Sequence, residues 1–179
     1  MVINITTYAT LTLFTDNFAD HVAKTCPSCT TETIPVTISD ALNGKLTTNV
    51  ISKLRADRSI KYAVFDNSGE INGFDAALKA AGLTDVKVIG HSIDPVTVKS
   101  IESGQAKAFV AYDFRYAGLD SIDAAVRHSV GDETSNPKSS TPIQLITKDN
   151  LGELPADALF RRPDDALEQF KKLWLVAGS

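Results

Sequence analysis

Short β-branched runs alternate with longer helical patterns along most of this chain, and that alternation limits the fold more than any other feature. Met1 to Thr6 is apolar and β-branched. Phe14, Phe18 and Val22 then share one face of a helix expected over 16–25. Thr33 to Thr37 reads as a strand that Pro35 confines to a sheet edge or a strand end. Leu46, Val50, Ile51 and Leu54 place a helix over 45–56. Lys61 to Phe65 is a compact strand closed by Asp66-Asn67-Ser68-Gly69, and an Ala-rich helix over 71–81 stops at Gly82. Val86 to Gly90 is the next strand. Asp94-Pro95 opens a helix, with Asp as N-cap and Pro in the first turn, which ends at Gly104. Ala106 to Tyr112 is a strand, and 118–130 is a helix ended by Gly131. Short connections between such elements are the mark of βαβ units, so the fold class is α/β: a parallel sheet flanked by helices on both faces.

The tail has a different texture. Asp132 to Ser140 is polar and rich in turn formers, and Thr141 to Thr147 reads as one more strand. Leu151 to Pro163 has little periodicity. Over 164–176 a terminal helix is expected, with Leu167, Phe170, Leu173 and Trp174 on a face that needs something to dock on. The chain thus divides into a lobe over 1–131, a crossing segment and strand over 132–150, and a C-terminal loop and helix over 151–179. Its 179 residues suffice for one domain with a sizeable core. A net charge of -4 argues against a nucleic-acid partner. No apolar run approaches the ~18 residues of a membrane span. No signal peptide precedes the first strand, so the expectation is either a cytoplasmic protein or a chain that begins downstream of its signal.

The usual catalytic fingerprints are absent. No phosphate-binding glycine motif and no G-x-S-x-G elbow occurs, and Asp94-Pro95 breaks the one stretch, Gly90-His91-Ser92, that begins like an elbow. No cofactor, no metal site and no enzymatic activity is expected. Cys26-Pro27-Ser28-Cys29 sits at the end of a helix rather than at its start, where a thiol would be activated, so a disulfide closing a tight turn is favoured over a redox-active pair. Two free thiols are the other reading, and zinc would need about four ligands.

The strand ends share a theme. Thr6-Thr7-Tyr8, Asp66-Asn67-Ser68, His91-Ser92-Ile93-Asp94 and Tyr112-Asp113-Phe114-Arg115 each follow a strand, and in a parallel sheet they emerge at one edge. Hydroxyls, an amide, carboxylates, a guanidinium and aromatic faces suit the polar edges and flat C–H faces of a carbohydrate. The candidate ligand-binding residues are Tyr8, Asp66, Asn67, His91, Ser92, Tyr112 and Arg115.

The stretch from Tyr62 to Arg127 resembles the C-terminal lobe of the type I periplasmic sugar-binding proteins of ABC importers, which LacI-type repressors share. The likeness is carried by Tyr62 to Asn67, by Gly73 to Leu83 (GFDAALKAAGL), by Val86 to Gly90 with Asp94-Pro95, by Ile101 to Ala108 (IESGQAKA), by Tyr112 to Gly118 and by Asp123 to Arg127. Cys26 to Cys29 and Leu145 to Asn150 also look like segments of bacterial sugar-binding lipoproteins and secreted binding proteins. The resemblance implies a flavodoxin-like lobe that binds a small solute, carbohydrate by class, without catalysis. It implies that Asn67 supplies an amide to sugar hydroxyls, that Tyr112 stands where a hydroxyl-binding side chain is common, and that Tyr8 lies in a contact loop. Ser92 departs from the pattern, standing where many relatives carry an Asp that accepts two hydrogen bonds. Such proteins have two lobes joined by a hinge, so this chain reads as one lobe. Its expected partners are the other lobe or a homodimer mate, and an ABC permease for the full-length parent in the periplasm or another extracytoplasmic space. The rival readings are the effector domain of a LacI-type repressor and a stand-alone flavodoxin-like domain.

Overall fold

Five strands run parallel in a computed structural model of the chain: β1 (Val2–Ile5), β2 (Thr33–Val36), β3 (Tyr62–Phe65), β4 (Lys87–His91) and β5 (Ala106–Tyr112). With β6 (Ile143–Thr147) they form a six-stranded sheet in the order β2-β1-β3-β4-β5-β6. The helices are α1 (Ala9–Thr25), α2 (Ile38–Leu42), α3 (Lys45–Ala56), α4 (Phe74–Ala80), α5 (Pro95–Ser103), α6 (Phe114–Ser129) and α7 (Ala166–Leu173). Residues 1–132, 142–154, 159–160 and 165–175 are described. The expected polar loop over 132–140, except Asp132, and much of the aperiodic stretch over 151–163 lie outside them.

The strand order reverses at β1. From there the chain steps to β2 on one side and later to β3 on the other, which makes the β1/β3 boundary a topological switch point. The core lies under this boundary. Val2 and Ile3 of β1, Ala63, Val64 and Phe65 of β3, and Val88 of β4 are buried. Leu46, Val50, Ile51 and Leu54, the expected inner face of α3, are all buried as well. Phe65 meets Phe74 of α4 edge to face at 4.9 Å, a favourable aromatic geometry. A tight spot lies at Gly90, where a Cβ would fall 2.6 Å from the Phe65 carbonyl oxygen and 2.7 Å from the Phe109 ring.

The chain forms two compact units. The first contains 1–110 and 145–152, and the second the described residues of 111–144 and 153–179. In the second unit α7 docks on α6. Phe170 is buried, meeting Tyr116 at 5.5 Å and Trp174 at 5.4 Å, and the Trp174 indole donates to Asp123 at 2.9 Å. The Asp123 carboxylate also accepts from Arg127 at 2.7 Å, and that bond holds it below the ordinary carboxylate range. Leu167 and Leu173, expected on the same inward face, are exposed, so the docking stripe is narrower than the sequence pattern predicts.

Several boundaries differ from the expected ones. Helix α1 begins at Ala9 rather than near Asp16, because its first turns pack on β1 and this docking outweighs the low helix propensity of Thr10 and Thr12. Helix α6 begins at Phe114 rather than Gly118, because the Asp113 carboxylate accepts from the N–H groups of Arg115 and Tyr116 and caps the helix early. Helix α2 was not expected at all. Thr37 and Asp40 form a reciprocal capping box at its start.

The cap expected at Asp94 is present. One Asp94 carboxylate oxygen accepts from Val96 and Thr97 N–H at 2.8 and 2.7 Å, while the Thr97 hydroxyl accepts from Asp94 N–H. Pro95 occupies the first turn. Asp94→Ala is expected to cost about 1–2 kcal/mol in urea denaturation.

Candidate functional site

The first unit brings together the loops after β1, β3 and β4. Asp66, directly after β3, is wholly buried. One of its carboxylate oxygens accepts from the Ile5 N–H at 2.7 Å, which ties the end of β3 to the end of β1 across the switch point. Its backbone carbonyl accepts from the His91 ring at the end of β4. Asp66 therefore links three adjacent strand ends, and its carboxyl group meets protein rather than solvent.

Glu70 lies four residues on and is 7% exposed. Burial pushes its carboxyl up to about 9, helped by the adjacent Asp66 charge and by the hydrogen bond between the two groups. Burial raises Asp66 too, but the bonds it accepts from Ile5 and Glu70 act the other way. The second Asp66 oxygen and both Glu70 oxygens are buried, and no other side chain among the described residues donates to them; the Asn67 backbone N–H is the smallest influence on Glu70. A proton held within the pair relieves that geometry. Glu70 is the acid and Asp66 the anion, because Asp66 accepts the short Ile5 N–H bond at 2.7 Å.

Between these two acids lies the polar edge itself. The Asn67 side-chain oxygen accepts from Gly69 N–H at 2.9 Å, capping the short 3-10 turn over Ser68–Ile71 and leaving its NH2 group as the donor. Ser68 is buried and its hydroxyl meets that of Ser92, also buried, at 3.4 Å. Ser92 adopts φ +70°, left-handed backbone that costs a residue with a Cβ about 1–2 kcal/mol. That conformation turns the chain sharply at the end of β4. His91 is half-buried and its ring lies 5.2 Å from Phe14 of α1. Burial holds the imidazole below its ordinary value, so it is neutral at pH 7. Tyr8, 52% exposed, stands at the start of α1 without capping it through its side chain.

The stretch after β5 belongs to the second unit. Tyr112 is half-buried, its ring 4.1 Å from Phe114, and burial raises its hydroxyl above the ordinary value. Phe114 is 61% exposed. Arg115 lies on the first turn of α6, with its side chain exposed.

Glu70 is the residue that sequence reasoning missed. The one trace it left was an acid four residues beyond the acid that follows a strand. Reading 71–81 as a single helix placed Glu70 before that helix and outside the site. Cys26 and Cys29 are joined in a disulfide with Cα atoms 5.3 Å apart, and Cys26 forms the C-cap of α1. Among the described residues no group of three or more His, Cys, Asp or Glu is placed to hold a metal ion.

A six-stranded, mostly parallel sheet with its polar loops beyond the strand ends at a switch point is the fold of one lobe of a type I periplasmic binding protein. Solved structures of that class match closely. A carbohydrate-transporter solute-binding protein from Agrobacterium radiobacter, in complex with D-arabinose, has 24% identity and a TM-score of 0.71, over 85% of this chain and 51% of that one. An ABC-transporter solute-binding protein from Mycobacterium smegmatis with bound glycerol has 23% identity and a TM-score of 0.70, over 90% of this chain and 56% of that one. A Bacteroides fragilis protein assigned as a LacI transcriptional regulator has 18% identity and a TM-score of 0.69, over 86% of this chain and 54% of that one. The chain spans about half the length of the solved structures it matches. No family model matches the sequence.

Proposed function

We propose that this chain is the solute-holding lobe of an ABC-importer binding protein, taking a small polyhydroxylated molecule such as a sugar or polyol, without catalysis. The observation that carries the reading is the set of loops after β1, β3 and β4 at the switch point. Their groups are neutral and suited to hydroxyls: the Asn67 amide, the Ser92 hydroxyl, the neutral His91 ring and the Tyr8 ring. The carboxylates of Asp66 and Asp94 are engaged within the protein, so neither is a free base. Asp66 serves by fixing the turn rather than by touching the solute. In the second unit, the Tyr112 and Phe114 rings lie 4.1 Å apart and the Arg115 side chain is exposed. The full-length parent is extracytoplasmic and delivers its solute to a permease.

Calorimetric titration of the full-length parent with pentoses, hexoses, polyols and purine nucleosides tests this. At least one member of the sugar or polyol classes is expected to bind, and Asn67→Ala is expected to weaken it at least tenfold, about the 1.4 kcal/mol of a hydrogen bond. Failure of every sugar and polyol to bind would falsify the reading. The Bacteroides fragilis neighbour favours a second reading, the effector domain of a regulator. Sequence-specific binding of duplex DNA by the parent, released by the solute, would select it.

A further inference from the structure

Each residue of the turn from Asp66 to Glu70, apart from Gly69, is held by its side chain. Asp66 is bonded to Ile5, Asn67 caps Gly69, and Ser68 meets Ser92. Glu70 closes the turn on Asp66. Helices α3, α4 and α5 all pack on this turn, yet they bring no cation to Glu70. Lys45 and Arg55 of α3, Lys79 of α4, and Lys99 and Glu102 of α5 are exposed. Lys53 of α3 is paired with Glu32, and Asp75 of α4 is an acid. From β4 the neighbouring titratable group is His91, whose ring bonds the Asp66 backbone rather than either carboxyl group. Three carboxyl oxygens are thus enclosed with one proton and no counter-ion.

We infer that Glu70 is a positioning residue for the solute edge: its neutral carboxylic acid donates to Asp66 and holds the turn that presents Asn67 and Ser68, so that loss of its proton loosens this edge. The binding consequence rests on the function proposed above. The structural consequence does not, because Asp66 also anchors β1 through Ile5. A second charge beside Asp66, enclosed with no cation and no side-chain donor, is relieved when the turn opens to water. Ile5, Asn67 and Ser68 then move together, and affinity for a solute held by Asn67 falls with them.

The test uses the ligand-free chain, so that its outcome is separate from any sugar screen. Carboxyl carbon resonances of Glu70 and amide resonances of Ile5, Asn67 and Ser68 are followed by NMR from pH 5 to 10. The expected result is a Glu70 midpoint several pH units above that of a free glutamate, with the Ile5, Asn67 and Ser68 resonances shifting at the same midpoint. In Glu70→Gln, which keeps a neutral donor, those shifts vanish while the neutral-pH spectrum is retained. A Glu70 midpoint near that of free glutamate, or turn resonances that stay fixed through the Glu70 transition, overturns the inference. The wild-type titration decides alone if the variant does not fold. In the parent, titration with D-arabinose and glycerol at pH 6 and 9.5 adds the binding arm. Where either binds, affinity is expected to drop at least fivefold at the higher pH in wild type and to stay level in Glu70→Gln. A drop that persists in the variant counts against Glu70 as its source.

Discussion

Gly90→Ala is expected to destabilise the chain by roughly 3 kcal/mol, near the upper end for adding one methyl group to a packed interior. The added Cβ would meet the Phe65 carbonyl oxygen at 2.6 Å and the Phe109 ring at 2.7 Å. The ring can turn aside, but the carbonyl belongs to the ladder between β3 and β4, where Phe65 and Gly90 face each other. Relief therefore requires the two strands to separate just where β4 leads into His91 and Ser92. A drop in Tm of about 10 °C by calorimetry is the matching readout. Phe109→Leu in the Gly90→Ala background is expected to restore only part of the loss, because the carbonyl remains. A Gly90→Ala chain as stable as wild type would mean that the β3–β4 spacing is not as tight as the structure shows.

The second large effect is a dependence of stability on pH with an unusual sign. Glu70 holds its proton to about pH 9 when folded and releases it near its ordinary 4.5 when unfolded. Between those values the folded chain binds the extra proton, so stability falls as pH rises. The contribution is complete below about 4.5 and is lost as pH passes through about 9. The limiting slope for one proton is about 1.4 kcal/mol per pH unit. His91 has the opposite sign, since burial lowers its value and its effect on stability lies below its ordinary 6.5. The buried Met1 amino group, lowered from its ordinary 8.0, likewise raises stability with pH up to about 8, so the difference between wild type and Glu70→Gln, which share both groups, isolates Glu70. Urea unfolding at pH 7.0 and 8.5 is expected to show wild type losing about 1–2 kcal/mol relative to Glu70→Gln across that interval. The stability of Glu70→Gln relative to wild type should be greater at pH 8.5 than at pH 7.0. Equal pH profiles for the two proteins would refute the assignment.

These two effects differ in how visible they were in the sequence. The strand ending in Gly90 was legible, because a run of alternating Val and Ile is a local signal. The close approach that demands a glycine there depends on Phe65 and Phe109, which come from other strands. Asp94-Pro95 was fully legible, since a cap and its helix are contiguous. Asp113 carries the same kind of cap, yet reading Tyr112 to Arg115 as a loop hid it, and the start of α6 moved by four residues. Asp66 was legible as a strand-end acid, but its pairing with Glu70 was not. Burial that keeps one proton between two acids arises from β1, α3, α4 and α5 packing over the turn, and no window of sequence contains that enclosure. The strand-end groups, by contrast, follow from topology, and the parallel order brought the loops after β1, β3 and β4 to one edge.

Pro35 has a consequence for how copies of this chain meet. The carbonyl groups of Glu32, just before β2, and of Val36 accept from Val2 of β1 and from Thr6 just after it, so the alternate residues Thr33 and Pro35 turn their backbone away from β1. Proline has no N–H there to offer a newcomer. The outer border of the sheet is missing a rung of the ladder that an incoming strand would need, and that border is sealed against stacking by strand addition. Pro35→Val would restore the rung and open a route to edge-to-edge association.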